Sequence, residues 1–258
     1  MTAFELLAAG YFLTLGCLAP VAPVPWTRRA AVSGLSFACA AAVAAVATSA
    51  GDVARAWAPH FYLIGGYWVP GLLAPPLTAA TPFEAWLANL DRRVRPRLPG
   101  VPPALRHLTE LAYLLCYPLV PASFLVVWAA GTAADVERFW LAILVAGYAC
   151  YGTIPWLLSR PPRLIGTTAS AHPVAMLNAL VLGRVSHQLN TFPSGHVAVA
   201  LAAAGALWPV SPPAAVVVGF TAAVVATGAA AGRYHYVTDV WVGAAVGAAA
   251  VTIARAAA

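Results

Sequence analysis

The sequence has no lysine, and only 9% of its 258 residues are charged. The basic side of its formal net charge of +6 is arginine alone, placed mostly in short loops between apolar segments. That placement suits loop anchoring and orientation, and no nucleic-acid partner is expected. Carboxylates are scarcer still: there are eight Asp and Glu, and after Glu137 only Asp239 remains. Two-metal phosphatase sites need several carboxylates or histidines around the ions, so neither a metal nor a cofactor is expected. Ser194 lies outside any Gly-x-Ser-x-Gly elbow, which argues against a serine hydrolase. The four cysteines, Cys17, Cys39, Cys116 and Cys150, sit singly inside apolar runs and are read as small buried hydrophobes rather than ligands. No cleavable leader is expected, because Glu5 and no basic residue precedes the first apolar run.

What is abundant is apolar surface. With 62% hydrophobic residues, a mean hydropathy of +0.81 and repeated apolar stretches near the roughly 20 residues that cross a bilayer, the chain reads as a multi-pass integral membrane protein. The fold class is all-α, a polytopic transmembrane bundle of about six to eight membrane segments. Spans are expected at 4–24, 31–50, 106–130, 138–158, 194–209, 212–231 and 236–257. Residues 58–77 are broken by glycine and proline and leave span, re-entrant segment and buried loop open. Residues 81–97 carry Phe83, Trp86, Leu87 and Leu90 at helical spacing and read as a helix lying on the membrane surface. A proline-rich polar connection is expected from 159 to 191. The chain divides into membrane helices with an interfacial segment, 1–105, and a C-terminal core, 106–258. Gly243 and Gly247 have the spacing that lets two helices approach closely.

Polar residues gather where apolar helices begin, and an ionisable group in such a place is a functional-site candidate by default. Counting crossings brings three clusters to one face: Arg160-Pro161-Pro162-Arg163, Ser194-Gly195-His196, and Arg233 with His235 and Asp239. Ser194 stands at a helix N-cap, where free amides hold anions, and Gly195 lets an oxygen approach. His196 is placed to protonate a departing oxygen. His235 and Asp239, four apart, share a helix face; a carboxylate on one imidazole nitrogen leaves the other free as a nucleophile. Arginines, helix N-termini and two histidines make a set for phosphoryl transfer without metal.

These residues resemble the type 2 phosphatidic acid phosphatase superfamily over roughly residues 106–257. Pro193-Ser194-Gly195-His196 matches its second motif, and His235-x3-Asp239 matches the end of its third. The resemblance implies that His235 attacks phosphorus to form a phosphohistidine, that Asp239 orients it, and that His196 protonates the leaving group and then activates water. It also implies that Ser194 and the Gly195 amide bind phosphate oxygens. Two positions depart from the family pattern: Thr153 stands where its lysine is expected and Ala229 where its arginine is. Arg160 or Arg163, together with Arg233, is the expected replacement. The double proline before Arg163 is closer to the inositol phosphorylceramide synthase branch. The resemblance implies a phosphatase acting on a lipid phosphate or prenyl diphosphate in contact with membrane lipids, with the plasma membrane as the expected location. Alternatives are a phosphotransferase using an alcohol such as inositol, and a non-catalytic transporter or scaffold.

Overall fold

The structure, a computed structural model, describes residues 1–95, 102, 108, 110–111, 113–165, 173–189 and 191–257. Among these residues the chain is helical throughout, without strands, and forms a helical membrane bundle. In order the helices are α1 (Ala3–Leu18), α2 (Trp26–Ser49), α3 (Asp52–Trp57), α4 (Pro59–Gly71), α5 (Pro82–Val94), α6 (Cys116–Ala130), α7 (Ala133–Tyr151), α8 (Pro173–Val185), α9 (Gly195–Leu207), α10 (Pro212–Ala231) and α11 (Val237–Ala256). Among the described residues, four segments are long and apolar enough to cross a membrane: Ala3–Val21, α2, α10 and α11; α6, α8 and α9 are shorter apolar helices.

The bundle is built around α7 and α9. Phe139, Trp140, Ile143, Leu144 and Ala146 of α7 are fully buried, and α1, α4, α9 and α11 pack on that helix. Its start differs from the expected 138. Thr132 Oγ1 accepts the Asp135 amide at 3.2 Å while Asp135 Oδ2 accepts the Thr132 amide at 2.8 Å, a reciprocal cap that draws Asp135, Glu137 and Arg138 into the helix. Against α9, α11 is admitted closely by the two glycines read for that purpose. A Cβ added at Gly243 would lie 2.5 Å from the Ser194 carbonyl oxygen, and one at Gly247 would lie 2.5 Å from that of Ala198. The outer faces of the helices stay apolar, as bilayer burial requires, with Phe61, Val217 and Phe220 exposed.

Residues 58–77, left open between span, re-entrant segment and buried loop, hold α4 over Pro59–Gly71, whose 13 residues reach about 20 Å, short of the roughly 30 Å hydrocarbon core. Two expectations change. The polar connection contains the apolar helix α8, which Pro173 opens at its first position. Only Cys150 of the four cysteines is buried and Cys17 is exposed, because in a membrane bundle an apolar run also supplies the outward face.

The helix at 82–94 is amphipathic as expected, and it turns two of its carboxylates inward. Glu84, Leu87 and Asp91 are buried and Trp86 is about half exposed. The carboxylates turn inward because partners wait there: Arg160 for Glu84, and the Val237 amide for Asp91. The first part of the span expected from 106 falls largely outside the described residues.

Candidate active site

Ser194 is the N-cap of α9, with extended backbone angles. The first intrahelical bond runs from the Ala198 amide to the Ser194 carbonyl at 3.0 Å, so the amides of Gly195, His196 and Val197 lie ahead of the helical ladder. Gly195 is needed for close approach, since a Cβ there would stand 2.6 Å from the Tyr151 ring. Ser194 itself is fully buried: its amide donates to the Asp239 carbonyl at 3.0 Å, and its Oγ has no partner among the described residues. Its hydroxyl does not form part of the pocket wall.

The turn between α10 and α11 presents His235. The Ala229 carbonyl accepts both the Tyr234 amide at 3.0 Å and the His235 amide at 3.1 Å, and Arg233 takes a left-handed φ of 57° to make the reversal. His235 is buried, with Nδ1 2.7 Å from the Thr191 carbonyl oxygen. A carbonyl only accepts, so Nδ1 carries the proton and Nε2 keeps its lone pair. Asp239 Oδ2 lies 3.6 Å from Nδ1, near enough for charge attraction and beyond hydrogen-bond reach, and it accepts the Tyr236 amide at 2.9 Å. The i, i+4 spacing puts both groups on one face; the hydrogen bond that fixes the tautomer comes from the loop before α9.

One pocket is lined by Arg163, Gly195, His196 and His235, with Tyr67, Tyr113, Tyr151 and Tyr234 among its walls and no carboxylate among the described residues. The rings of His196 and His235 are 5.8 Å apart at their centroids. Tyr113 places its hydroxyl 3.5 Å from His196 Nδ1 and stacks on Tyr234 at 4.1 Å. Arg163 lies over the Tyr234 ring, 4.3 Å from its centroid, and its amide donates to the Arg233 carbonyl at 3.0 Å. The Tyr234 hydroxyl donates to the Glu110 carboxylate, which also accepts from Asn178 Nδ2 at 2.6 Å. Burial and then that carboxylate hold the Tyr234 phenol above its ordinary pKa.

The remaining cationic candidates stand differently. Arg160 is outside the pocket wall and is held by Glu84, with Nη2 to Oε1 at 2.7 Å, Nε to Oε2 at 3.0 Å and its own amide to Oε2 at 2.8 Å. Burial pushes the Glu84 carboxyl up, but the hydrogen bonds and charge of Arg160 more than offset it and leave the pKa below the usual carboxylate value. Arg233 is also outside the wall and contributes its carbonyl. Thr153, at the family's lysine position, donates to the Cys150 and Phe192 carbonyls at 2.6 and 2.9 Å, tying the end of α7 to the loop before α9. Sequence reasoning missed Glu84, Asp91, Glu110, Tyr113, Asn178, Thr191 and Tyr234. The one signal available for the first pair was an i, i+7 spacing of acids around Leu87 in a chain with so few carboxylates.

The family model described as the PAP2 superfamily matches residues 83–253, which takes in α5 as well as all three clusters. No curated protein and no solved structure matches the chain. Such a match over well over half of the sequence carries a phosphatase or phosphotransferase type of fold and an enzyme class acting on phosphoric esters. With its helical membrane bundle and its two histidines at one pocket, the chain belongs to the PAP2 superfamily, the type 2 phosphatidic acid phosphatases and their relatives.

Proposed function

We propose that the protein is an integral-membrane phosphatase that hydrolyses a lipid phosphate, a phosphomonoester or prenyl diphosphate, through a phosphohistidine and without metal. The observation that carries this reading is the meeting of Arg163, the open amide end of α9, His196 and His235 in one pocket, with the His235 Nδ1 proton committed to Thr191. Arg163 and the amides of Gly195 and His196 hold the phosphate oxygens. His235 Nε2 attacks phosphorus; the bond from phosphorus to the ester oxygen breaks, and His196 gives that oxygen its proton. His196, now neutral, takes a proton from water, whose oxygen attacks phosphorus and releases phosphate from His235. Asp239 stabilises the positive charge on His235 from 3.6 Å. The substrate's chain remains among membrane lipids while its headgroup enters the pocket; the plasma membrane is the proposed location.

Arg160 and Arg233 stay in the proposal as supports of the phosphate site, Arg160 through the loop it anchors and Arg233 through its carbonyl to the Arg163 amide. A transferase reading has one observation in its favour: Ser186 and Gln188 also line the pocket, a polar wall suited to an alcohol in place of water. Phosphate release by purified protein in detergent, from phosphatidic acid, a prenyl diphosphate and a water-soluble phosphate, tests the proposal with EDTA present and His235→Ala in parallel. Release that survives EDTA and vanishes in the variant supports it. Release that EDTA abolishes, or that the variant retains, overturns it. Transfer to an added polyol without release selects the transferase.

A further inference from the structure

The inward face of α5 touches all three loops that build the pocket. Its cap residue Thr81 donates to the Leu158 carbonyl at 2.8 Å, and Glu84 grips Arg160 by side chain and backbone. Phe83 meets Phe192 edge to face at 5.3 Å, beside the loop that supplies Thr191. Two turns on, Asp91 Oδ1 accepts the Val237 amide at 3.0 Å, satisfying a free N–H in the first turn of α11. Arg95 closes the set: it donates to both oxygens of Asp91, at 2.7 and 3.2 Å, and to the Ala230 carbonyl at 2.9 Å. The residues from Ala230 to Val237, which include His235, are therefore pinned at both ends by one helix.

We propose that α5 is a brace for the catalytic loops, with Glu84 and Asp91 as positioning residues: Glu84 sets where Arg163 stands by holding Arg160, and Asp91 sets where His235 stands by holding the start of α11. The proposal rests on the phosphoryl-transfer reading above. Its mechanical link on the first side is short and stiff, because Pro161 and Pro162 separate Arg160 from Arg163 and each fixes its own φ. On the second side only Tyr236 lies between His235 and the capped amide. The two acids are seven residues apart, two turns or about 10 Å along one face, which matches one helix bridging two loops. Both are buried, Glu84 at 1% and Asp91 at 6% exposure, so neither serves to solvate a surface helix.

The two acids act on different parts of the reaction, and this separates positioning from general loss of fold. Full-length protein in detergent is compared as wild type, Glu84→Gln, Asp91→Asn, the neutral pair Glu84→Gln with Arg160→Gln, and Arg92→Gln on the exposed face of α5. The readouts are affinity for vanadate as a phosphate mimic, KM and kcat for a lipid phosphate, and thermal unfolding. Glu84→Gln is expected to weaken vanadate binding and raise KM by about 10-fold. Asp91→Asn is expected to lower kcat by about 10- to 100-fold with KM little changed. Arg92→Gln is expected to match wild type. The neutral pair, which leaves no unpaired buried charge, is expected to fold and to lose no more affinity than the single variant. Wild-type vanadate affinity and KM in a folded neutral pair, or parallel loss of every parameter in step with the folded fraction, overturns the brace. Retained activity in His235→Ala overturns the histidine reading instead, and a folded wild type that neither binds vanadate nor releases phosphate overturns both.

Discussion

Gly243→Ala tests whether the seam between α9 and α11 sets the active-site geometry. The added Cβ would fall 2.5 Å from the Ser194 carbonyl oxygen and 3.2 Å from its carbonyl carbon. Non-bonded contacts of this kind settle near 3.5 Å, so one backbone must retreat by about 1 Å, and no rotamer change relieves a clash with main chain. Overpacking of this size costs about 1–3 kcal/mol, against a gain of about 1 kcal/mol from replacing a helical glycine. Net destabilisation of up to about 2 kcal/mol follows. The clashing carbonyl belongs to the residue whose amide bonds the Asp239 carbonyl, so the same displacement moves His235 relative to Gly195 and His196. A misplacement near 1 Å lowers the rate by about 100-fold. Gly247→Ala repeats the clash one turn on, at 2.5 Å from the Ala198 carbonyl, with a similar stability cost and a smaller effect on rate. Gly34→Ala, with nothing within 4 Å, should be neutral in activity and stabilising by about 1 kcal/mol. Thermal unfolding and kcat/KM across the three variants check this. Wild-type kcat/KM in Gly243→Ala, or equal losses at 243 and 247, would mean that the α9–α11 seam does not set the geometry of the pocket.

Two further outcomes follow from the same structure. The folded-state pKa of Glu84 is depressed, so its ion pair with Arg160 adds stability above the unfolded carboxylate value of about 4.3 and loses it as the pH falls through the lower folded value; the stability gap between wild type and Glu84→Gln, measured by denaturation, should narrow steadily below that pH. Arg163→Ala should raise KM for a lipid phosphate by about 10-fold or more, and Arg163→Lys should recover part of it by returning charge without the planar fork, as steady-state kinetics would show.

Much of the candidate site was legible because it is local. Pro193 to His196 and His235 to Asp239 open apolar helices, and the polar-to-apolar change marks both starts within a residue or two. The α9 and α11 contact was legible for the same reason, since two glycines four apart declare a close approach. What stayed hidden depends on partners distant in sequence. The bond that fixes the His235 tautomer comes from Thr191, 44 positions away, whereas spacing alone favoured Asp239. Arg160 and Arg163 look equivalent until Glu84, 76 positions earlier, claims the first. The inward carboxylates of α5 were hidden for the same reason: amphipathic reasoning turns charge outward, and a buried carboxylate with a waiting cation or amide reverses that rule.

The phosphohistidine pathway is tested most directly by trapping the protein during turnover with a labelled lipid phosphate, quenching under alkaline conditions that preserve phosphohistidine, and mapping the labelled peptide. Label is expected on His235, lost in His235→Ala and accumulating when His196→Ala slows its hydrolysis. Label on Ser194, or turnover with no covalent phosphate under conditions where a control phosphohistidine survives, would contradict that pathway.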